Sequence, residues 1–564
     1  MDSYKKNQTY SRWASEEEIK SSLYKVNLYD SVSSFGGIPL YYEDGSVYIE
    51  STDAHSIIFG ITGSKKTRLL GMPSIMLYAK AGESFIVTDP KAELYEKTYH
   101  VLKEKGYKIF VLNLREPEES NCWNPLIVPY RLYHSEKRDK AIELVNDMSK
   151  VIMQQEIALD SYWQNSASDM LTGLILILFE CAKKNEINFK SLRTLRTQSL
   201  RAVDTRNGES IPYIRENFLS KINQASFVCS LLSGTVEVCD NTRGCIASVF
   251  DDGLRPFFSQ DNLIDMLSNN HLDMKKIGNE KTAVFLIIPD ENTLYHRLIS
   301  VFVKQCYTEL IIEAQKQPNK ALPLRVNYLL DEFSSLPAIS DFPSMITASR
   351  SRNIRFNLII QSFKQLFRRY KEEAEAIKGN CQNWIYLHSR EYELLEELSY
   401  LSGKKSNEEP LVSPSLLQTL DKEKGEALIF CKRKYPFITN LLDIDDYPGS
   451  KNEIAEVKYP KNDRKVQSVF DFELFCRSKN DYFFSQLFSG RTQKEILSDR
   501  SGEEEYYTQK FEEEILEPIF TSVVPPQEMS FDKKVSEKEI KRQNNSIRKK
   551  KKTRLQIKED KKEE

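Results

Sequence analysis

Residues 59–68, FGITGSKKTR, decide the fold, because they carry the outline of a phosphate-binding loop, or P-loop. Such a loop follows a strand, turns through small residues whose backbone N–H groups surround phosphates, and enters a helix whose N-terminus faces them. The spacing G-x-x-x-x-G-K-[ST] puts Gly60 at the first glycine, Lys66 at the lysine and Thr67 at the Mg²⁺-binding hydroxyl. Only Lys65 departs from this pattern, which has glycine there.

The loop as a whole is therefore a candidate nucleotide site. The predicted contact residues are Gly60, Thr62, Gly63, Ser64, Lys65, Lys66, Thr67 and Arg68. The alternative is a small-residue turn that only closes a βα unit. The effect of Lys65 depends on whether the backbone there tolerates a Cβ atom and whether the side chain crowds the phosphates.

A second motif favours the nucleotide interpretation. In RVNYLLDEF (325–333) an apolar run ends in Asp331 and Glu332. A carboxylate pair at the end of a parallel strand suits Mg²⁺ and an attacking water: Asp331 holds the metal with Thr67, and Glu332 orients and deprotonates the water. A helix N-cap would explain Asp331 but not the pair.

The order of apolar runs predicts an α/β fold with a mainly parallel sheet. DG at 44–45 predicts a tight hairpin over 38–50, and later short apolar runs alternate with helical patterns, which is typical of βαβ units. The predicted strands of the sheet are SIIFG (56–60), SFIVTDPK (84–91), YKIFVLNL (107–114), KTAVFLIIP (281–289), RVNYLLDEF (325–333), IRFNLIIQ (354–361), NWIYLHS (383–389) and GEALIFC (425–431).

Helical periodicity replaces strand patterns for some 150 residues after CWNPL (122–126), which predicts an inserted all-α domain. We therefore expect six segments along the chain. They are an N-terminal polar segment with the hairpin (1–50), the first portion of a nucleotide-binding domain (51–127), the all-α insertion (128–275), the second portion of the nucleotide-binding domain (276–450), a C-terminal extension (451–530) and a disordered charged tail (531–564).

Composition excludes several classes of protein. The net charge is only −2, so any nucleic-acid surface must be local, and nine scattered cysteines without a CxxC pair argue against disulfide or zinc modules. The most apolar run, 171–182, is about twelve residues long, whereas a membrane span needs about twenty. We expect a cytoplasmic protein that does not cross a membrane by itself.

Six blocks, in order along the chain, carry a resemblance to a known family. They are the P-loop, TDPKAELY (88–95), NLREPEESNCWNPL (113–126), YWQNSASDML (162–171), LLDEFSSLPAISDFPSMITASRSRNIRFNLIIQSFKQL (329–366) and GNCQNWIYL (379–387). Together they resemble the TraG/TrwB family of type IV secretion coupling proteins over roughly residues 45–450. The resemblance implies a RecA-like, hexameric ATPase, with an all-helical insertion, that joins relaxase-bound DNA to a conjugative channel.

The resemblance also implies further roles. Gln361, after a strand that should neighbour the Asp331 strand, is in the position of a γ-phosphate sensor, or else only satisfies backbone at a strand end. Arg350 and Arg352 are candidates for an arginine finger acting across a subunit interface, or else solvated surface. Asp89 and Lys91 end another strand near the same crevice, where open α/β sheets bind ligands, or else form a local turn and ion pair.

The motifs, taken together with this resemblance, imply an ATP- and Mg²⁺-dependent motor for conjugative DNA transfer. Relatives commonly begin with transmembrane helices, and no such helix is predicted here. We therefore expect either that the channel or a separate membrane subunit recruits this chain to the inner face of the membrane, or that it belongs to an anchor-less branch of the family. The alternative is a docking platform that recruits relaxase and substrate with weak or no hydrolysis; an FtsK-like duplex pump fits the CWNPL and ITASRSRNI blocks less well. The basic run 541–554 could tether DNA, an acidic partner or a membrane surface.

Overall fold

The computed structural model describes residues 10–154, 161–204, 209–289, 295–448, 457–461 and 464–488. All of them fall within residues 1–500, which form one compact unit. The predicted tail (531–564) lies outside the described residues. Among the described helices, none has the length and apolarity that crossing a bilayer requires.

The described residues contain fourteen strands. They are β1 (Tyr24–Asn27), β2 (Pro39–Glu43), β3 (Ser46–Ile49), β4 (His55–Gly60), β5 (Ser84–Thr88), β6 (Lys108–Asn113), β7 (Ala202–Asp204), β8 (Ser210–Pro212), β9 (Thr282–Ile287), β10 (Val326–Leu330), β11 (Ile354–Ile360), β12 (Cys381–His388), β13 (Glu426–Cys431) and β14 (Phe437–Asn440).

The same residues contain eighteen α-helices. They are α1 (Glu16–Ser22), α2 (Met72–Ala81), α3 (Glu93–Glu104), α4 (Ile127–Tyr133), α5 (Arg138–Met153), α6 (Ser161–Cys181), α7 (Phe189–Ser199), α8 (Phe227–Val236), α9 (Asp240–Phe258), α10 (Asp261–Met266), α11 (His296–Lys316), α12 (Phe342–Ser349), α13 (Phe363–Tyr370), α14 (Glu373–Asn380), α15 (Tyr392–Leu401), α16 (Pro414–Gln418), α17 (Phe472–Ser478) and α18 (Asp481–Gln486).

Nine strands form the central sheet in the order β14-β13-β12-β4-β11-β10-β5-β9-β6. The seven strands from β12 to β6 are parallel, and β13 and β14 add antiparallel pairs at one edge. Helices cover both faces, so every residue of β4, β5, β9, β10 and β11 is buried, and these strands are mainly apolar on both faces rather than alternately apolar and polar. This confirms the predicted α/β class and all eight predicted strands of the sheet.

The predicted hairpin is also confirmed, as β2 and β3. Asp44 (φ 44°) and Gly45 (φ 71°) both adopt the left-handed conformation that a two-residue turn needs. The short strand β1 pairs with the other side of β3 and completes a three-stranded sheet. Strand β1 was not predicted, because YKVN has too few apolar residues for a strand pattern.

The segment between β6 and β9 consists of helices α4–α10 and the short β7–β8 hairpin, which the all-α prediction did not include. Helix α6 is at its centre and packs against α5, α8 and α9. Gly173 on α6 is required for this packing, because a Cβ atom there would lie 2.7 Å from Leu232 Cδ2 on α8. Residues 464–488 return to this segment: Phe472 packs on Phe218, with ring centroids 5.4 Å apart.

A buried polar network connects the three-stranded N-terminal sheet to the N-terminal ends of the strands of the central sheet. The Arg355 side chain is 2% exposed and donates to Asn327 Oδ1 (2.8 Å) and to the carbonyls of Gly36 (3.0 Å) and Glu50 (3.1 Å). Glu83 accepts from Asn327 Nδ2 (2.8 Å) and Gly36 N (3.0 Å) and lies 3.4 Å from Arg355. Each charge in this network therefore has hydrogen-bonding partners, as burial demands.

His55 and Asp53 extend this edge. His55 Nδ1 accepts from Phe356 N (3.0 Å) and its Nε2 lies 2.8 Å from the carbonyl of Ile346, while burial lowers the pKa of the imidazole to about 4. A neutral imidazole suits these backbone contacts. The Asp53 carboxylate accepts two hydrogen bonds from Arg350, one from Nε (3.2 Å) and one from a terminal nitrogen (3.1 Å).

Candidate nucleotide-binding site

The P-loop joins β4 to α2 through a single π-helical turn, Thr67–Gly71. Its first glycine is required, because a Cβ atom on Gly60 would lie 2.5 Å from Ser64 Oγ and 2.8 Å from Lys66 Cγ. Gly63 has a φ of 81°, a conformation that favours glycine. Glycine at positions 60 and 63 is therefore required by the close packing and by the backbone conformation of the turn.

Lys66 lies across the loop. Its side chain is 8% exposed, and its Nζ donates to the carbonyl of Gly60 (2.8 Å) and lies 3.7 Å from Glu332 Oε1. The amine is therefore held between the loop and the carboxylate pair that follows β10. The sequence placed these two motifs about 265 residues apart, and the parallel sheet brings them together.

The carboxylate pair and the predicted sensor meet at the same edge, because β4, β11 and β10 are neighbours. Gln361 Nε2, just after β11, donates to both oxygens of Glu332 (2.7 and 2.8 Å). Asp331 Oδ1 accepts from Glu332 N (2.9 Å), and Thr88 Oγ1 donates to the Asp331 carbonyl (2.9 Å). Glu332 has a φ of 52°, a strained conformation of the kind that clusters at functional sites.

Lys65 is in the left-handed conformation, with a φ of 59°. Glycine adopts this conformation without the cost of roughly 1–2 kcal/mol that a Cβ atom imposes. The Lys65 ammonium is paired with Glu423 Oε2 at 2.6 Å, on the loop before β13. The backbone thus has a conformation that suits glycine, while the Lys65 side chain is paired with the loop before β13.

Arg68 is likewise tied to carboxylates outside the loop. It donates to Asp443 through Nε (3.0 Å) and a terminal nitrogen (2.6 Å) and also contacts Asp445. These hydrogen bonds, Asp443 first, raise the pKa of Arg68. Lys65 and Arg68 both line the cavity described next, and their role as nucleotide contacts stays a prediction.

A cavity of about 580 Å³ connects these groups. All of the predicted loop residues except Gly60 line it, as do Asp331, Glu332, Gln361, Asp89 and Lys91. Lining residues that the sequence analysis missed are Ile61, Pro90, Glu93, Leu94, Ile288, His296, Ser335 and Leu336. Several of these follow the ends of β5, β9 and β10, so knowledge of the strand order would have identified them.

Asp89 is buried at the far side of this cavity. Its Oδ2 accepts from Tyr95 N (2.8 Å) at the start of α3. Burial raises the pKa of Asp89 to about 7, with the charge of Asp331 adding to the effect and the amide hydrogen bonds of Tyr95 and Leu94 opposing it. Asp89 thus both binds the first turn of α3 and lines the cavity.

Arg350 and Arg352 lie at the opposite edge of the sheet, before the start of β11. Arg350 is bound to Asp53, and Arg352 NH1 donates to the carbonyl of Lys320 (2.9 Å). Neither lines the cavity of its own chain. A role across a subunit interface remains a prediction.

The residues present fit a nucleotide with Mg²⁺. Ser64 Oγ is buried in the loop and has no hydrogen-bond partner among the described residues, which suits a phosphate oxygen. Lys66 supplies a cation, and the Thr67 hydroxyl and the Asp331 carboxylate are the hard oxygen ligands that Mg²⁺ prefers. A cavity of this size also has room for a nucleotide.

Comparison with known proteins agrees with this geometry. The sequence profile of the family described as Type IV secretory system Conjugative DNA transfer matches residues 5–425. The type IV secretion system-coupling protein VirD4 of Bartonella henselae is 21% identical over 360 residues, which cover 63% of this chain and 53% of that protein. The chain thus spans about half the length of the curated relatives it matches.

Two solved structures of the plasmid coupling protein TrwB share the fold. The complex with the non-hydrolysable ATP analogue ADPNP has a TM-score of 0.53 and 16% identity over 81% of this chain and 97% of TrwB. The complex with ADP and Mg²⁺ has a TM-score of 0.53 and 16% identity over 77% and 93%. These matches agree with the predicted RecA-like class.

Proposed function

The chain belongs to the type IV secretory system conjugative DNA transfer family, and from that premise we propose that it is an ATPase that couples ATP hydrolysis to DNA transfer through a type IV secretion channel. One observation carries the proposal. The ends of three adjacent parallel strands bring Lys66, the Asp331–Glu332 pair and Gln361 to one cavity. Each is a component that phosphoryl transfer needs.

The roles follow from the chemistry of each side chain. Lys66 neutralises charge on the β- and γ-phosphates, and Ser64 donates its hydroxyl to a phosphate oxygen. Thr67 and Asp331 are the residues that would hold Mg²⁺, which would neutralise the negative charge that develops on the phosphates. Glu332 orients the attacking water and accepts its proton.

The contacts of Glu332 suggest how hydrolysis depends on the nucleotide. Gln361 donates to both carboxylate oxygens, and Lys66 Nζ lies 3.7 Å from Oε1, so both oxygens already have protein partners. A γ-phosphate that attracts Lys66 and Gln361 would release Glu332 to bind water. The same contacts would hold the base inactive when only ADP is bound.

The partners follow from the family rather than from the site. We propose that relaxase-bound DNA is the substrate and that the chain works as a ring hexamer docked on the secretion channel or a membrane subunit, at the inner face of the membrane. In such a ring, Arg350 or Arg352 of a neighbouring copy would act as the arginine finger. For Arg350, this role would require that its side chain leave Asp53, to which it is bound within its own chain.

A second candidate function is a docking platform that binds nucleotide but hydrolyses it slowly. The observation that favours it is Lys65, whose backbone conformation is one that glycine adopts more easily. Steady-state ATP hydrolysis with and without single-stranded DNA separates the two functions. A motor is stimulated by DNA and loses all activity in Lys66→Ala, whereas a platform binds ATP without DNA-stimulated turnover.

A further inference from the structure

We propose that Glu391 is a positioning residue for the ATPase site: it holds the start of α13 and thereby places Gln361 against Glu332. The inference rests on the proposed function and assigns a role to a residue that lies outside the cavity lining. Glu391 is about 30 residues from Gln361 along the chain. It is the residue just before α15.

The Glu391 carboxylate accepts three hydrogen bonds from the N-cap and the first two residues of α13. Its Oε1 accepts from Ser362 Oγ (3.0 Å) and Lys364 N (3.2 Å), and its Oε2 accepts from Phe363 N (3.0 Å). Ser362 is the N-cap of the helix, with Oγ accepting from Lys364 N (3.1 Å). The first turn of α13 is thus fixed from outside its own sequence.

These contacts are strong ones for so short a helix. A carboxylate at a helix N-terminus is favoured by the helix dipole, and hydrogen bonds to an ionised acceptor are roughly twice as strong as neutral ones. An eight-residue helix has little stability of its own and depends on such external contacts. Without Glu391, the first turn would retain only Ser362 as its cap.

The position of Gln361 depends directly on this turn, because Gln361 is the single residue between β11 and the N-cap Ser362. Its side chain must reach Glu332 with both hydrogen bonds at 2.7–2.8 Å. Residues 361 and 362 connect β11 to α13, and loosening the first turn of α13 would free the end of this connection that adjoins the helix. The effect should therefore appear where Gln361 acts, at the γ-phosphate, and not in the binding of the rest of the nucleotide.

The loop that carries Glu391 is itself anchored to the P-loop. Ile61 N donates to the carbonyl of His388 (3.1 Å), and Tyr386 Oη accepts from Ser389 N (3.0 Å). The Ser389 hydroxyl in turn accepts from Glu391 N (3.1 Å). Through these contacts, Glu391 links the turn that carries Gln361 to Ile61 of the P-loop.

The test compares ATP and ADP affinity, measured with fluorescent nucleotide analogues, in Glu391→Ala, Glu391→Gln and Gln361→Ala. We expect Glu391→Ala to lower the ratio of ATP to ADP affinity about fivefold to tenfold, as Gln361→Ala does, with ADP affinity unchanged. Glu391→Gln retains the carbonyl acceptor and should recover some of the ratio. The double variant Glu391→Ala/Gln361→Ala should be no worse than Gln361→Ala alone.

Glu393→Ala is the matched control, because Glu393 pairs with Lys364 Nζ at 3.0 Å through two well-exposed side chains. It should leave the ratio unchanged. A ratio in Glu391→Ala equal to that of Glu393→Ala would overturn the inference, as would an equal loss of ATP and ADP affinity, which marks a general structural role. If the wild-type protein binds neither nucleotide, the proposed function is wrong and the inference is refuted with it.

Discussion

The central sheet has charged residues at both ends of its parallel strands, which we call its N-terminal edge and its C-terminal edge. The two ends use similar charged residues in opposite ways. At the N-terminal ends of the strands, Arg355 is 2% exposed and donates to Asn327 and to the carbonyls of Gly36 and Glu50, and it lies 3.4 Å from the carboxylate of Glu83. At the C-terminal edge the Glu332 side chain is 26% exposed and lines a cavity with Lys66. Complete pairing inside the protein stabilises the fold, whereas access to a cavity leaves charge available for a ligand.

The largest expected effect is at the cavity edge. Lys66→Ala should abolish ATP binding, hydrolysis and conjugative transfer while leaving the melting temperature near that of the wild type, because the lysine acts on phosphates rather than on the fold. Nucleotide titration, a mating assay and a thermal melt measure these. Lys97→Ala, an exposed lysine on α3, is the control. Normal transfer by Lys66→Ala would refute the motor.

Glu332→Gln should separate binding from hydrolysis. Asp331 remains to hold the metal, so ATP affinity should persist, while loss of the general base should lower kcat about 10²- to 10⁴-fold. Binding titration and steady-state hydrolysis measure the two effects. Loss of ATP binding in this variant would show that the two carboxylates have the opposite roles.

At the N-terminal edge, Arg355→Met should change stability and not chemistry. It leaves Glu83 buried beside the weaker contact to Arg325 at 3.6 Å, and breaking a buried pair costs roughly 3–5 kcal/mol of unfolding free energy. Arg350→Met, which breaks the more exposed pair with Asp53, should cost about 0–1 kcal/mol. Equal losses in denaturant titrations of the two variants would contradict the distinction between the edges.

Lys65→Gly should have a smaller effect. Glycine removes the strain of the left-handed conformation and also takes a side chain out of the cavity lining. Because the second change bears on the bound nucleotide, we expect a gain in ATP affinity of up to about tenfold, or 1.4 kcal/mol. Glu423→Ala removes the ion pair without relieving the backbone and should leave affinity within about twofold of wild type. A large loss of affinity on restoring glycine would instead show that the Lys65 ammonium contacts phosphate.

A further effect concerns the pH dependence of stability. Because the folded state raises the pKa of Asp89 to about 7, it holds a proton that the unfolded chain loses near pH 4. The stability from this group is therefore present below about pH 4 and is lost as the pH rises through about 7. Asp89→Asn should flatten that fall in denaturant titrations between pH 4 and 7.

Asp53 at the other edge provides the opposite case. Burial would raise its pKa, but the hydrogen bonds and charge of Arg350 outweigh burial, and the pKa is lowered. Its stabilisation is present above the unfolded-state pKa and is lost as the pH falls through the folded one. Asp53→Asn should therefore flatten the acid side of the profile. If Asp89→Asn and Asp53→Asn changed the slope of stability against pH in the same direction, the opposite pKa shifts assigned to these two residues would be wrong.

Much of the fold could be predicted because buried parallel strands leave long apolar runs in the sequence. IRFNLIIQ and RVNYLLDEF were recognised for that reason. The same runs hid the role of Arg355, which breaks an apolar pattern and reads as a surface charge. The short strand β14 (FITN) was missed because an edge strand of four residues leaves no such run.

The site was partly predictable for a different reason. P-loop spacing is local, so Gly60 to Thr67 could be aligned to a pattern, and acids at strand ends converge once the strands are parallel. Glu391, Glu423 and Asp443 act on the loop or the sensor from positions about 30 to 375 residues away in sequence. No local pattern marks such residues, because their contacts exist only after the chain has folded.

The strand order has a consequence for how the chain is made. The first three strands of the central sheet, β4, β5 and β6, are never neighbours: each is flanked by strands that follow the helical segment. On a ribosome that adds about 5–20 residues per second, β4 waits roughly 15–60 s for β11 and β12, some 300 residues later. Its apolar residues have no sheet partners during that time. We therefore expect residues 51–127 to bind a chaperone while the chain is being synthesised, and to be insoluble when expressed alone.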